Sequence, residues 1–459
     1  MSRYFLSWKR EKLSEGVTMQ EHHRGPDISD RHSRAFLLAY GCGSIGTAAF
    51  FVVPQLFLLY MSTEFLGIPA FWAGIAMFLP RVWEFLIDPF IGRISDSWSG
   101  RWGRRRPFLV FGALLFSVTF VALFSPPDAE NWILDFVHLL LAYLLCTTAF
   151  AIFAVPYLSV PAEITSDPDE RTRIVAYRMA GSSVGLVLAG IAGPLVLQAF
   201  GEGLSGYRAM AIALALPISF CMLMPAFALR NVSEGDLQVP LHNAGESARR
   251  IISNRAFLTV AAVFFLQTVA SGASLALLPY FNAFSLGAET ANVSFLYAFL
   301  TLGMFSALPV WLWLSRTIGK ARSYMISILA YAVASACLIM APSVNMPLNA
   351  LLFTFVGSAL GGTQLLAFSL FPDTLTKDGT GQAYEGLFTG VWISIDSLGV
   401  ALGALIAGSV LQFSTYDSAL QLQTPETAST ITLAMTFGIS LLLVPAGVFA
   451  WRMQRQMPG

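Results

Sequence analysis

The chain has 459 residues, 56% of them apolar and 12% charged, and its 27 Lys and Arg balance its 27 Asp and Glu. Soluble domains run near 25% charged, so the composition excludes a soluble enzyme and a disordered or fibrous chain. The zero net charge offers no basis for a nucleic-acid partner.

At roughly 20 apolar residues per crossing, there is room for about a dozen membrane spans. Cys42, Cys146, Cys221 and Cys337 lie far apart in apolar stretches, and the five histidines are scattered. Neither a disulfide framework nor a metal site is expected from these spacings, and no cofactor is expected.

The predicted elements begin after a polar tail, 1–34, which has no cleavable signal peptide and is expected to be cytoplasmic. Apolar runs near 35–62, 69–92, 106–125, 133–158, 174–200 and 207–229 predict six helices. A second six follow near 256–281, 289–314, 321–341, 346–370, 384–412 and 427–451. The runs are too long and too continuously apolar to be barrel strands. The expected organisation is an all-α polytopic membrane protein. An N-terminal bundle over 35–229 and a C-terminal bundle over 256–452 flank a central loop at 230–255, and a short tail, 453–459, ends the chain.

Of the 27 Lys and Arg, 24 fall in the tails or in every second connection. The exceptions are Arg208 at the opposite face and Arg81 and Arg178 within helices. By the positive-inside tendency, both termini are expected in the cytoplasm and the chain in the plasma membrane, the inner membrane if bacterial. The halves also echo each other. Arg101-Trp-Gly-Arg-Arg-Arg106 recurs as Arg316-Thr-Ile-Gly-Lys-Ala-Arg322, Pro161-Ala-Glu163 as Pro372-Asp373, and Gly181/Gly185 as Gly399/Gly403. A shared offset of about 210 to 220 residues reads as two six-helix repeats, an arrangement that forms a site between its halves. The glycine pairs read as close helix packing.

Span 2 ends Arg81-Val-Trp-Glu84-Phe-Leu-Ile-Asp88-Pro89. Spacings of three and four place Arg81, Glu84 and Asp88 on one helical face. Near the bilayer centre each charge costs about 2.5–3.5 kcal/mol on insertion scales, so that face must meet protein or water. The two acids repel, and a proton, a cation or Arg81 must neutralise them. This reads as a proton- or sodium-coupled site, Glu84 and Asp88, with Arg81 as internal counter-charge. The plainer alternative is a structural Arg81–Glu84 pair. After it come Asp96, Arg101, Gly103 and Arg104 in a short loop, which reads as a gate or hinge latch, or more simply as topology signal.

The run Trp83-Glu84-Phe-Leu-Ile-Asp88-Pro89-Phe-Ile-Gly92, with Asp96 and Arg101-Trp-Gly-Arg-Arg-Arg106, resembles the inner loop of the major facilitator superfamily. More narrowly it resembles the glycoside–pentoside–hexuronide:cation symporters, of which melibiose permease is a member. Val155-Pro-Tyr157, Leu278-Pro-Tyr280, Phe371-Pro-Asp373 and Glu385-Gly-Leu-Phe with Asp396 extend the resemblance over about 35 to 412.

The resemblance implies the major facilitator fold, coupling-cation acids at Glu84 and Asp88, and a substrate-region arginine at Arg178. It also marks departures. Ala48, Ala154 and Ser397 stand where such symporters carry charged residues, which argues against a galactoside site like that of melibiose permease and leaves Arg81 as the internal counter-charge.

Tyr157, Arg178, Gln364, Trp392 and Asp396 are the residues expected to face a central substrate cavity. Gln55, Gln267, Tyr280 and Asn282 are more often helix–helix hydrogen bonds when taken singly. The expected activity is cation-coupled symport, with H+ or Na+, of a small polar solute such as a sugar or glycoside, by a monomer in a lipid bilayer. A lysolipid or amphiphile carrier is the alternative. A membrane sensor or assembly protein lacks a sizeable domain outside the spans, and a polytopic enzyme would need catalytic loops that the short outer connections do not supply.

Overall fold

The computed structural model describes residues 32–127, 131–165, 167–201, 203–231, 244–288, 291–376, 381–414, 416–417 and 423–456. The tail over 1–31, the stretch 232–243 of the central loop and residues 457–459 lie outside the described residues. Every regular element among the described residues is helical, and twelve helices are long and apolar enough to cross a membrane.

In the first half these are α1 (Arg34–Glu64), α2 (Ala70–Ser97), α3 (Arg106–Leu123), α4 (Trp132–Ile164), α5 (Pro168–Phe200) and α6 (Leu204–Ala228). In the second half they are α7 (Arg255–Ser285), α8 (Asn292–Ile318), α9 (Lys320–Ser343), α10 (Met346–Thr376), α11 (Gly381–Phe413) and α12 (Pro425–Arg452).

Side-chain caps fix several helix starts, each satisfying one orphan backbone N–H. Ser33 accepts from the Phe36 amide at 3.2 Å, Asp167 from Asp169 at 3.0 Å and Asn254 from Phe257 at 2.9 Å. A short helix, Ala244–Ser253, lies in the central connection, which the sequence reading treats as a loop. The turn expected between spans 8 and 9 is tighter than its sequence suggests. Arg316 is in the last turn of α8, and Gly319 alone breaks the chain, at φ 89°. Gly103, its counterpart in the first half, has φ 84°. Both lie in the left-handed region that a side chain disfavours.

The packing repeats as the sequence does. α1 packs on α5 and α6, α2 on α4, and α3 on α4 and α6; in the second half α7 packs on α11 and α12, α8 on α10, and α9 on α10 and α12. Small residues allow the closest contacts. Gly181 and Gly185 of α5 lie against the backbone of Gly41 and Ile45, and Gly399 and Gly403 of α11 lie against Thr268 and Val269.

The bundles meet through α1 with α7, α2 with α11, and α5 with α8. Gln55 donates to the Gly272 carbonyl at 2.8 Å, Thr63 and Tyr280 share a hydrogen bond of 2.6 Å, and Ser294 donates to the Ile191 carbonyl at 2.9 Å. Gly74 lies against Leu405, and Gly408 against Ala70. These contacts lie toward the helix ends remote from the two chain ends. Nearer the chain ends, a Cβ at Gly390 of α11 would meet nothing within 4 Å, and one at Gly92 of α2 would meet Val155 of its own bundle at 3.7 Å. The contacts that the two bundles make with each other thus gather at the face remote from the chain ends.

Candidate functional site

α2 runs unbroken over Ala70–Ser97 with Pro80 and Pro89 inside it, and between these prolines it carries the three charges. Arg81 and Glu84 are both buried, and Arg81 Nη1 donates to Glu84 Oε2 at 2.8 Å. The guanidinium also sits 4.4 Å from the ring centre of Phe50 and 4.8 Å from that of Phe51. This aromatic box offsets part of the cost of removing the cation from water. One turn further, Asp88 is half-buried, and its Oδ1 is shielded with no hydrogen-bond partner.

Asp396 of α11 is also half-buried, and Arg81 is the cation that acts on it across the gap between bundles. Arg81 likewise acts on Asp88 together with Glu84. Glu84 takes the direct contact with Arg81.

The remaining expected cavity residues separate. Tyr157 of α4 is buried, shares a 2.9 Å hydrogen bond with Ser44 and donates to the Tyr40 carbonyl at 2.7 Å. Tyr40 in turn donates to the Tyr157 carbonyl. Arg178 of α5 lies over the Tyr157 ring at 5.1 Å, so these two residues do come together. Gln364 of α10 is half-buried.

Trp392 departs from the expectation. It is 1% exposed and stacked on Phe264 at 4.2 Å, with Phe371 at 5.0 Å. It packs inside the second bundle rather than lining a gap, because four phenylalanines of α7 and α10 close around it.

The loop after α2 forms a cluster that takes in Asp96, Gly103 and Arg104 of the expected latch, but its centre is Arg105 with Glu163, which the sequence reading does not single out. Gly103 turns the chain so that Arg105 enters between α2 and α4. There its Nη2 contacts Asp96 at 2.5 Å and Glu163, its Nε reaches Glu163 at 3.0 Å, and its Nη1 reaches Ser95 at 2.5 Å. Arg104 also pairs with Glu163, at 3.0 Å, whereas Arg101 is exposed and outside this cluster.

Burial opposes both charges, yet hydrogen bonds and charge from Arg105, then Arg104, hold the Glu163 carboxyl below its ordinary value. Glu163 and Asp96 likewise hold the Arg105 guanidinium up against its burial. In the second half Lys320 pairs with Asp373 at 2.7 Å, the counterpart that the repeat offset assigns to Arg105 and Glu163. That offset was the signal in the sequence for Glu163.

At the closed face a second cluster was not anticipated. Tyr416, in the α11–α12 connection, donates to the carboxylate of Glu64 at the end of α1 and contacts Thr63 at 3.3 Å. Gln55 and Tyr280 hold the bundles together, Asn282 bonds the Ala288 carbonyl at 3.0 Å, and Gln267 accepts from Tyr324 at 3.0 Å. Among the described residues no group of three or more His, Cys, Asp or Glu could hold a metal ion.

Comparison with known proteins shows the family and the fold. The family described as "MFS/sugar transport protein" matches residues 39–454. The chain is 26% identical to the putative glycoside/cation symporter YagG of Escherichia coli K12 over 426 residues, 90% of this chain and 89% of that one. It is 25% identical to the inner membrane symporter YicJ of the same organism, over 90% of each chain. Among solved structures, a bacterial homologue of the human lysosomal transporter Spinster, in an inward-facing unoccupied conformation, superposes with a TM-score of 0.65. That match has 16% identity and covers 92% of this chain and 96% of the other, a likeness of fold.

Proposed function

Because the chain belongs to the MFS/sugar transport family, we propose that it is a symporter, coupling H+ or Na+ to uptake of a small polar solute of the sugar or glycoside class by alternating access. The chain is a multi-pass membrane transporter and not an enzyme. On this reading the face that carries the chain ends is cytoplasmic, as the basic residues favour, and the bundles stand open to the cytoplasm. The substrate acts as small-molecule partner, the coupling ion is the second, and a monomer in the bilayer suffices.

One observation carries the coupling assignment. Asp88 lies one turn from a buried Arg81–Glu84 pair, with Oδ1 shielded and without a hydrogen-bond partner, on the helix that packs against α11 across the bundle interface. An ionised carboxylate so placed is costly until a proton or cation neutralises it. An ion that binds one arrangement of the bundles better than the other shifts the population between them. Names of similar proteins, a glycoside/cation symporter among them, support the solute class.

The test is counterflow and gradient-driven uptake in proteoliposomes with a sugar panel, with and without sodium and a pH gradient. Asp88→Asn and Glu84→Gln are each expected to abolish cation-driven accumulation while the protein still inserts. Concentrative uptake by either variant would refute the assignment.

A further inference from the structure

The seam between α9 and α12 lies away from the bundle interface, since both helices pack within their own half. At the end remote from the chain ends the seam is tied, where Ser440 donates to the Ala332 carbonyl at 2.7 Å. Beyond that bond, toward the chain ends, the two helices flank a groove of about 460 Å³, within the range of small-ligand sites. Its lining carries no charged side chain. Leu329 of α9 and Val444, Val448 and Trp451 of α12 all line it, and all four are exposed. Gly447 keeps it open, because a Cβ there would meet only Leu329, at 4.0 Å.

The first half ties the equivalent seam at both levels. Arg106, at the start of α3, donates from Nε to the Ala226 carbonyl of α6 at 2.9 Å, and Ser117 and Ser219 share a hydrogen bond between the same helices. The repeat equates Arg106 with Arg322, at the start of α9. Arg322 is exposed and, among the described residues, makes no hydrogen bond or ion pair. It stands seven residues before Leu329, and Arg452 stands four after Val448, so each arginine shares the helical face that lines the groove. At 1.5 Å per residue they lie about 10 Å and about 6 Å beyond those residues, both toward the chain ends. Arg452 is also exposed, its guanidinium 6.0 Å from the ring centre of Phe449.

An apolar slot between membrane spans suits a hydrocarbon chain, and two cations at its interfacial mouth suit a phosphate. Trp451, next to Arg452, is of the residue type that sits at headgroup level. We propose that the α9–α12 seam binds an anionic phospholipid, with one acyl chain in the groove and the phosphate between Arg322 and Arg452. No carboxylate on these helices competes for the arginines: α9 has none, and Glu426 of α12 is at the opposite end. A choline headgroup would bring its own cation against the two guanidiniums, whereas a glycerol headgroup would not. Basic residues at helix ends also serve topology alone, but that role does not require them to share the faces of one groove. The site lies off the path between the bundles and is independent of the solute. Only its leaflet, the cytoplasmic one, rests on the orientation proposed above.

The experiment is native mass spectrometry of the delipidated full chain, titrated with phosphatidylglycerol, with phosphatidylcholine of the same acyl chains, or with glycerol 3-phosphate. One phosphatidylglycerol is expected to bind about tenfold or more tightly than phosphatidylcholine. The double variant Arg322→Gln/Arg452→Gln should erase most of that preference. Gly447→Leu, which fills the groove without meeting backbone, should weaken phosphatidylglycerol binding by about tenfold while leaving both arginines in place.

The proposal is overturned if the two lipids bind equally or neither binds, if the preference survives in the double variant, or if Gly447→Leu leaves phosphatidylglycerol binding unchanged. Glycerol 3-phosphate binding as tightly as the lipid would show a phosphate site that does not use the groove, and a dimer that excludes lipid would put a second copy on this face; either result also overturns it. Should Gly447→Leu not fold, the wild-type ranking and the double variant decide. None of these outcomes bears on cation-driven uptake, so the transport reading stands or falls on its own test.

Discussion

The environment of Glu84 and that of Asp88 differ although the two are one turn apart. Glu84 is the direct partner of a buried guanidinium, so Glu84→Gln removes the one ion pair that Arg81 makes. That is expected to lower stability in detergent by about 3–5 kcal/mol, and the double variant Arg81→Gln/Glu84→Gln should recover most of it. Asp88→Asn, which removes no ion pair, should leave the unfolding midpoint nearly unchanged.

Thermal unfolding of the four proteins checks this, and equal losses for Glu84→Gln and Asp88→Asn would contradict it. Glu163 gives a pH-dependent case. Its folded value lies below the ordinary carboxyl value of 4.5 because of Arg105 and Arg104. Its contribution is therefore complete above that value and is lost as pH falls through the lower folded value. Glu163→Gln should destabilise by about 3 kcal/mol at neutral pH, with the gap to wild type closing only in acid.

Of these residues the Arg81–Glu84–Asp88 stripe was legible, since helical spacing alone puts the three together. Arg105 was not separable from its neighbours, because a run of three arginines does not say which one a glycine turn aims inward. Trp392 was misplaced for a related reason. A Trp in a span fits a cavity wall or an aromatic cluster equally well until the phenylalanines of other helices are located.

At the scale of elements, hydropathy and basic residues sufficed for twelve helices, and glycine spacing for the α1–α5 and α7–α11 seams. Which helices join the bundles was not readable, because small residues serve inside a bundle and between bundles alike. Gly74 against Leu405 and Gly408 against Ala70 show that α2 and α11 touch directly at the closed face. Gly408→Leu is expected to force them apart and favour the opposite opening. The Tyr416–Glu64 contact should act in the same direction, more weakly, when removed as Tyr416→Phe. Reactivity of a single cysteine introduced at Thr63 toward an external thiol reagent would rise in Gly408→Leu, and unchanged reactivity would show that this seam does not set the equilibrium.

For the molecule as a whole, the two repeats predict two rigid bodies, and the internal contacts of each half are the ones that should persist through transport. With the native cysteines replaced, a cysteine at Gly390 is expected to react with an impermeant maleimide from the side of the chain ends and one at Gly408 to be protected. Equal labelling of the two would rule out the arrangement described. The glycine seams have a mechanical consequence. They pack α1 closely on α5 and α7 on α11, so on the alternating-access reading each half is expected to tilt as a beam about a fulcrum at the α2–α11 and α5–α8 crossings. A helix of 31 residues is about 45 Å long, and a swing of about 10° about one end carries the other through roughly 8 Å. A displacement of a fraction of an ångström near Gly74 would thereby be geared up to several ångströms at the mouth.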